Sequence, residues 1–271
     1  MEAPRLKNII ILILAFLDLF LLGVVVRHLW QERYAQRRLE EELRALYVSH
    51  EIELAEDLDL TAPPPDTLAL ARDLTAEAAV AAFLLGEEVP AADQGGGIYS
   101  YSGRLGTVRF RSNASFEHTP YLRETDPLAL CREFCESFGY TIAEQALEED
   151  GGGFVTVAQI AGGSPIHNAS VVFRFSQGRL AGISGDYVSL AGSAPAQRST
   201  VSRVTALVHF LDFYRSYRDQ SGVICSAVQS IQPVYELQTT VSPLRLAAKW
   251  EIATDTGVYY MDCSDGSVTP A

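Results

Sequence analysis

The sequence is short of positive charge. It holds 21 Lys and Arg against 34 Asp and Glu, a formal net charge of −13 over 271 residues. Residues 1–44 carry seven Lys and Arg and six Asp and Glu, which sum to +1, so the rest of the chain carries −14. Binding to nucleic acid or to an anionic membrane surface needs clustered Lys and Arg. The acidic body therefore argues against both functions.

Cysteine and histidine are also scarce, with 4 and 5 copies. Cys131 and Cys135 stand four apart in a predicted helix, a poor geometry for a disulfide, and no second pair is placed to complete a zinc site. We interpret them as small core residues. Cys225 and Cys263 lie in two predicted strands, and whether a disulfide joins them stays open. The histidines are isolated, so we predict no metal site.

A second copy of Asp-Thr-Gly is missing. The triplet Asp255-Thr256-Gly257 is typical of aspartic proteases, where two such carboxylates meet and share a proton. Only fourteen residues follow Gly257, too few for the rest of a protease half. Asp and Gly are favoured in turns. We therefore predict a hairpin turn that joins the final two strands.

Other enzyme motifs are incomplete. The glycine runs "QGGGI" and "DGGGF" are not followed by Lys-Ser/Thr or by a helix, as a phosphate-binding loop requires. In "GISGDY" the second glycine comes one residue too early for a nucleophile elbow. We predict no catalytic residues and no cofactor, and we expect that the chain is not an enzyme.

One long apolar run is present, "NIIILILAFLDLFLLGVVV", from Asn8 to Val26. Its 19 residues would span roughly 28 Å as a helix, about the thickness of a hydrocarbon core. A cleaved signal peptide has a shorter run and a small-residue cleavage site, whereas "RHLWQERYAQRR" follows here. No second run occurs, so we favour an uncleaved single-pass anchor over a signal peptide.

The charges around this run do not settle its orientation. Five arginines follow it closely, whereas only Arg5 and Lys7 precede it. By the positive-inside rule the body would lie in the cytoplasm. A short N-terminal tail favours the opposite orientation.

Asp18 lies near the centre of the apolar run, between Phe16 and Phe20. A carboxylate at this depth costs roughly 2.5–3.5 kcal/mol on insertion scales. It is either a tolerated, protonated side chain or a hydrogen-bonding contact with a partner span. We favour the second interpretation and assign Phe16, Asp18 and Phe20 as candidate transmembrane contact residues.

The rest of the chain predicts an α+β fold of two related helix-plus-antiparallel-sheet units behind the transmembrane helix. A helix followed by three or four strands is expected at 126–190 and again at 202–269. Asp126 or Thr125 would cap the first of these helices and Ser202 the second. An earlier helix is expected within Asp66–Glu88. The predicted segments are a tail (1–7), the span (8–26), a juxtamembrane helix and proline linker (27–67), a first unit (68–190) and a second unit (191–271).

Three stretches carry a family resemblance: the span "AFLDLFLL" with its central polar residue, "PIHNASVVF" with "GRLAGISG", and the ending from Trp250 to Gly266. The chain resembles the YycI (WalI) family, single-span accessory regulators of the WalK (YycG) sensor histidine kinase, related to YycH. The resemblance covers nearly the whole chain as a pattern, although residues 27–125 match loosely.

The resemblance implies a cytoplasmic N-terminus and an extracytoplasmic body at the plasma membrane. It implies regulation of a membrane sensor histidine kinase, with a YycH-like companion, and an effect on cell-wall homeostasis. Asp18 matches the polar position of the family's span, which favours the partner-contact interpretation. The alternative function is an extracytoplasmic ligand-binding or enzyme-inhibiting module unrelated to kinase control.

Overall fold

The chain is a mixed α+β protein. The computed structural model describes residues 20–21, 38–121 and 126–271. Residues 38–49 form helix α1, and the later helices are α2 (Leu74–Leu85), α3 (Pro127–Phe138) and α4 (Arg203–Ser221). The strands are β1 (Glu53–Leu54), β2 (Thr67–Leu70), β3 (Ala92–Asp93), β4 (Tyr99–Gly103), β5 (Gly106–Phe110), β6 (Ser115–Pro120), β7 (Tyr140–Leu147), β8 (Gly153–Ala161), β9 (Ser164–Ser176), β10 (Arg179–Asp186), β11 (Ala194–Gln197), β12 (Ala227–Gln238), β13 (Leu244–Thr254), β14 (Val258–Asp262) and β15 (Val268–Pro270).

The helices begin where the sequence offers caps. Asp126 accepts hydrogen bonds from the N–H groups of Leu128 and Ala129, with a proline in the first turn of α3. Ser202 accepts from the N–H of Thr205 at the start of α4. Both predicted caps are therefore confirmed, and the choice between Thr125 and Asp126 falls on Asp126.

The strands form one connected sheet. Its main path runs β11-β2-β13-β12-β9-β10-β6-β5-β4-β3, and β1, β7, β8, β14 and β15 pair off this path. The segment β8-β9-β10 is antiparallel, and so is β12-β13-β14, as the turn-rich sequence predicts. The predicted hairpin turn at Asp255–Gly257 is confirmed, but β15 follows β14 and pairs with it, so these are not the final two strands.

Two hydrophobic cores lie against this sheet. The first core joins α2 and α3 to strands β4–β6 and β8–β10, with Phe134 and Phe173 completely buried. The second core joins α1 and α4 to β2, β12, β13 and β14, with Phe210 and Trp250 completely buried. The long strand β9 contributes to both, because its early residues belong to the second core and its later ones to the first.

Part of the helix predicted within Asp66–Glu88 is wrong. Thr67–Leu70 is a strand that pairs with β13 on one side and β11 on the other. The helix begins only at Leu74, after Asp73 accepts hydrogen bonds from the N–H groups of Thr75 and Ala76. Strand pairing with distant segments overrides the local helical preference there.

The predicted span Asn8–Val26 lies outside the described residues except for Phe20 and Leu21. Across the described part of the chain, no helix has both the length and the apolar character required to cross a membrane.

Candidate functional site

A cleft of about 490 Å³ lies between segments of the two cores. Its volume falls within the range that is usual for small-molecule sites. Four separate segments and one residue of α2 form its walls. The lining residues are 70–73, Glu77, 111–114, 187–189 and 239–244.

One wall of the cleft is held by a partly buried ion pair. Arg72 donates from Nε and Nη2 to the two carboxylate oxygens of Glu77, at 2.7 and 3.0 Å, and from Nη1 to the carbonyl of Gly97 at 2.5 Å. Glu77 is only 7% exposed. Hydrogen bonding to Glu77 raises the pKa of Arg72. Each charge is thus neutralised by the other, and the wall is fixed in place.

A second acidic group, Asp73, is committed to helix α2. Its Oδ1 accepts the N–H groups that begin the helix, and Ser189 Oγ donates to its Oδ2 at 3.4 Å. Nearby, burial, with smaller effects from Asp73 and Glu77, raises the pKa of Tyr187 to about 12. The phenol of Tyr187 therefore stays uncharged near neutral pH and can donate a hydrogen bond.

Another wall of the cleft carries an unequal set of charges. Arg111 donates from Nη2 to Glu117 Oε1 at 2.9 Å, and Arg109 donates from Nη1 to the same oxygen at 2.9 Å. Two guanidinium groups thus share one carboxylate. Of the two, only Arg111 lines the cleft.

A separate polar group, which we name the His167 cluster, joins four strands. It consists of His167 on β9, Glu236 on β12, Lys249 on β13 and Tyr260 on β14. The rings of His167 and Tyr260 stack with their centroids 4.1 Å apart. Lys249 Nζ lies 2.9 Å from Glu236 Oε2, and His167 Nε2 lies 3.9 Å from Glu236 Oε1.

The electrostatics of the His167 cluster favour the uncharged imidazole. Burial lowers the pKa of His167, Lys249 lowers it further, and Glu236 and Glu251 oppose that shift. Next along β9, the side chain of Asn168 exchanges two hydrogen bonds with the backbone of Leu237, at 2.7 and 3.0 Å. The stack of His167 on Tyr260 joins "PIHNASVVF" to the Trp250–Gly266 ending, two of the stretches that carry the resemblance.

All four cysteines are free thiols, so no disulfide joins Cys225 to Cys263. Burial is the main cause that raises their pKa values. These reach about 12 for Cys131, about 11 for Cys135, about 11 for Cys225 and about 12 for Cys263. A thiolate is the reactive form of cysteine, and these surroundings suppress it.

Of the predicted contact residues, Phe16 and Asp18 lie outside the described residues. Phe20 is helical and 67% exposed. The assignment of Phe16, Asp18 and Phe20 as transmembrane contacts therefore stays a prediction.

Within the described ranges, no group of three or more His, Cys, Asp or Glu side chains is arranged to hold a metal ion.

The sequence alone did not identify the cleft or the His167 cluster. One usable signal was present for the cluster, because His167 and Lys249 are polar residues inside otherwise apolar strand patterns. The sequence held little signal for the cleft, because its walls come together only through pairing between distant strands.

No protein-family model matches the chain, and no curated protein matches it. Among solved structures, the chain is similar to an uncharacterized protein from Eubacterium rectale, with a TM-score of 0.43 and 9% sequence identity over 82% of this chain and 91% of that one.

Proposed function

We propose that the chain is a non-enzymatic, membrane-anchored regulator of a two-component sensor histidine kinase that controls cell-wall homeostasis. The support in the sequence is the apolar run Asn8–Val26 and the resemblance carried by "PIHNASVVF", "GRLAGISG" and the Trp250–Gly266 ending. In this proposal the N-terminus is cytoplasmic, the body is extracytoplasmic, and the partners are the kinase and a YycH-like companion.

The structural observation that carries this proposal is the docking of α1 on the body. Tyr47 is completely buried and Leu43 is 3% exposed. The hydroxyl of Tyr47 donates to the carbonyl of Leu207 in α4 at 2.7 Å. Residue 38, at which the description of α1 begins, is twelve residues after Val26. A helix fixed in this way can transmit a displacement of the body toward the membrane anchor.

A second set of contacts fixes the end of the same helix. Arg44 donates from Nη1 to the carbonyls of Leu54 and Ala55, each at 3.2 Å, and from Nη2 to the carbonyl of Glu56 at 3.2 Å. The side chain thus ties α1 to the segment that leads into the linker. This attachment of α1 to the body suits a regulator in which a movement of the body is passed to the membrane anchor.

The finer architecture belongs to the same proposal. Helix α3 is followed by the four strands β7–β10, and α4 by the four strands β12–β15. We propose that these are two related units within 68–190 and 191–271, behind a transmembrane helix at 8–26. Phe16, Asp18 and Phe20 are the proposed contacts with the partner span.

The test is co-purification of the kinase with the full chain from membranes. Asp18→Leu is expected to reduce the amount of kinase recovered and to change kinase signalling, because it removes the polar contact. Asp18→Asn, which retains a hydrogen-bonding group, is the matched control and should retain most of the association. If Asp18→Leu leaves both association and signalling unchanged, the span contact is wrong.

Orientation is tested by thiol labelling. A cysteine placed at the exposed Glu149, in the β7–β8 connection, should react with a membrane-impermeant maleimide on intact cells. The four native thiols give little background, since burial raises their pKa values. Labelling that appears only after lysis would contradict the extracytoplasmic placement.

One observation favours a second candidate function, that of a ligand-binding module. The cleft of about 490 Å³ has the size of a small-molecule site, and its walls combine charged, hydroxyl and apolar groups. Retention of any small molecule by the cleft, lost on substitution of its lining residues, would support this function independently of the kinase.

A further inference from the structure

We propose that the cleft binds a small molecule bearing a carboxylate, and that the guanidinium of Arg111 receives this carboxylate. The inference rests on the ligand-binding function proposed for the cleft. It does not depend on the regulation of a kinase.

The first argument is the charge on the wall formed by Arg111. Arg111 and Arg109 donate to one oxygen of Glu117, so two positive charges face one negative charge. A guanidinium has five N–H donors in a planar fork that matches a carboxylate. In the part of the chain that the structure describes, the Arg111 side chain makes one hydrogen bond, from Nη2. It therefore has donors left for a ligand.

The second argument is that the other charges of the cleft are already in use. Arg72 and Glu77 neutralise each other through two hydrogen bonds. The Asp73 carboxylate caps α2, where the positive end of the helix dipole offsets its charge. Arg111 is thus the lining cation whose charge is least compensated, and a ligand anion is best placed beside it.

The third argument concerns the body of the ligand. Asn113 Oδ1 accepts from the N–H and hydroxyl of Ser115, at 3.2 and 2.8 Å, which leaves the amide NH₂ to donate. Hydroxyl groups and small apolar side chains line the remaining walls. Among them are Ser112, Ser189, Thr239, Thr240, Val188 and Val241. Such a lining suits an uncharged body rich in hydroxyl or amide groups, as in a short peptide or a sugar.

The experiment uses the full chain in detergent micelles and isothermal titration calorimetry. The two probes are N-acetyl-alanyl-alanine, a peptide carboxylate, and glucuronate, a sugar carboxylate. Their uncharged counterparts are N-acetyl-alanyl-alanine amide and glucose. At least one carboxylate probe should bind about tenfold or more tightly than its counterpart, the usual effect of a charge-assisted hydrogen bond. The probe that binds identifies the source of the carboxylate.

Two matched variants distinguish carboxylate binding by Arg111 from a general effect of positive charge on affinity. Arg111→Gln should weaken binding of the carboxylate probe by about tenfold or more. Arg104→Gln removes the same charge from a guanidinium that also pairs with one carboxylate, that of Glu87 at 3.4 Å, but Arg104 lies at the other end of β5 and does not line the cleft. It should change the affinity by less than about threefold, within the usual variation of a distant charge. Unchanged thermal unfolding would confirm that both variants fold.

Three results would overturn the inference. If none of the four probes binds, the cleft is not a site for this chemistry. If the uncharged counterparts bind as tightly as the carboxylates, the cleft binds ligands but the carboxylate class is wrong, and the ligand-binding function survives. If Arg104→Gln weakens binding as much as Arg111→Gln, the effect is general electrostatics. Kinase co-purification is unaffected by each of these results, so the regulatory proposal stands or falls separately.

Discussion

Ser226 holds the carboxylate of Asp255 with three hydrogen bonds. Its N–H is shared between Oδ1 and Oδ2, each at 3.1 Å, and its hydroxyl donates to Oδ2 at 2.6 Å. The N–H of Ala227 adds a further bond to Oδ1 at 3.2 Å. The acid of the Asp-Thr-Gly triplet thus joins the β13–β14 turn to the start of β12. Its role in the structure is to secure strand ends.

This carboxylate should make stability depend on acid pH. The hydroxyl of Ser226, followed by backbone N–H groups, lowers the pKa of Asp255 to about 2. A folded-state pKa below the unfolded value of about 3.9 contributes stability above the unfolded pKa, and this contribution is lost as pH falls through the folded one. Urea unfolding from pH 6 to pH 2 should therefore show that Asp255→Asn is destabilised at the higher pH. The deficit should shrink below about pH 4.

The control for this prediction is Asp212→Asn, at an exposed position on α4, which should change the unfolding curves little. A deficit of Asp255→Asn that stays constant from pH 6 to pH 2 would contradict the role of the negative charge.

Tyr47→Phe should destabilise the body while preserving its packing. The substitution leaves the carbonyl of Leu207 without the hydroxyl donor that lies 2.7 Å away. A hydrogen bond of this kind contributes about 0.5–1.5 kcal/mol to stability. Chemical denaturation measures the change. Tyr121→Phe, at a side chain that is 62% exposed, is the control and should be nearly neutral. Equal unfolding midpoints for both variants would mean that the hydroxyl of Tyr47 does not hold α1.

Two substitutions should move the pKa of His167 in opposite directions. Burial lowers this pKa, Lys249 lowers it further and Glu236 raises it. Lys249→Met is therefore expected to raise the pKa, and Glu236→Gln to lower it. Proton NMR titration of the imidazole measures both changes. Arg245→Met, at an exposed position on the same strand, should have little effect, and shifts of the same sign for Lys249→Met and Glu236→Gln would contradict the arrangement of charges.

The native thiols should resist alkylation. Their pKa values are raised to about 11 or 12 by burial, so little thiolate forms at neutral pH. Iodoacetamide followed by mass spectrometry should find all four cysteines unmodified in the folded chain and all four modified in guanidinium chloride. Rapid modification of Cys263, which is completely buried, would show that the second core opens on the timescale of the reaction.

The features that depend on nearby residues were predictable from the sequence. Asp126 and Ser202 cap helices three residues from their bonding partners or closer, and the Asp-Thr-Gly turn joins adjacent strands. Such signals are local, because the groups that interact are close along the chain.

The features that depend on distant pairing were not predictable. Thr67–Leu70 follows a helical pattern in sequence but is a strand, because its partners lie in β11 and β13. Strand β7 was also missed, since nearly all of its residues are exposed and its pattern lacks an apolar face. The cleft gathers segments near residues 72, 112, 188 and 241. No local sequence pattern predicts that these segments come together.

The division of β9 between the two cores has a consequence for unfolding. The buried residues Ile166 and Ala169 of this strand belong to the second core, and Val171, Phe173 and Phe175 belong to the first. A single strand therefore contributes buried side chains to both cores. Neither core is complete unless this strand is paired in its native register. The two halves of the body are thereby coupled as a single cooperative unit, in which loss of one interior removes a wall from the other.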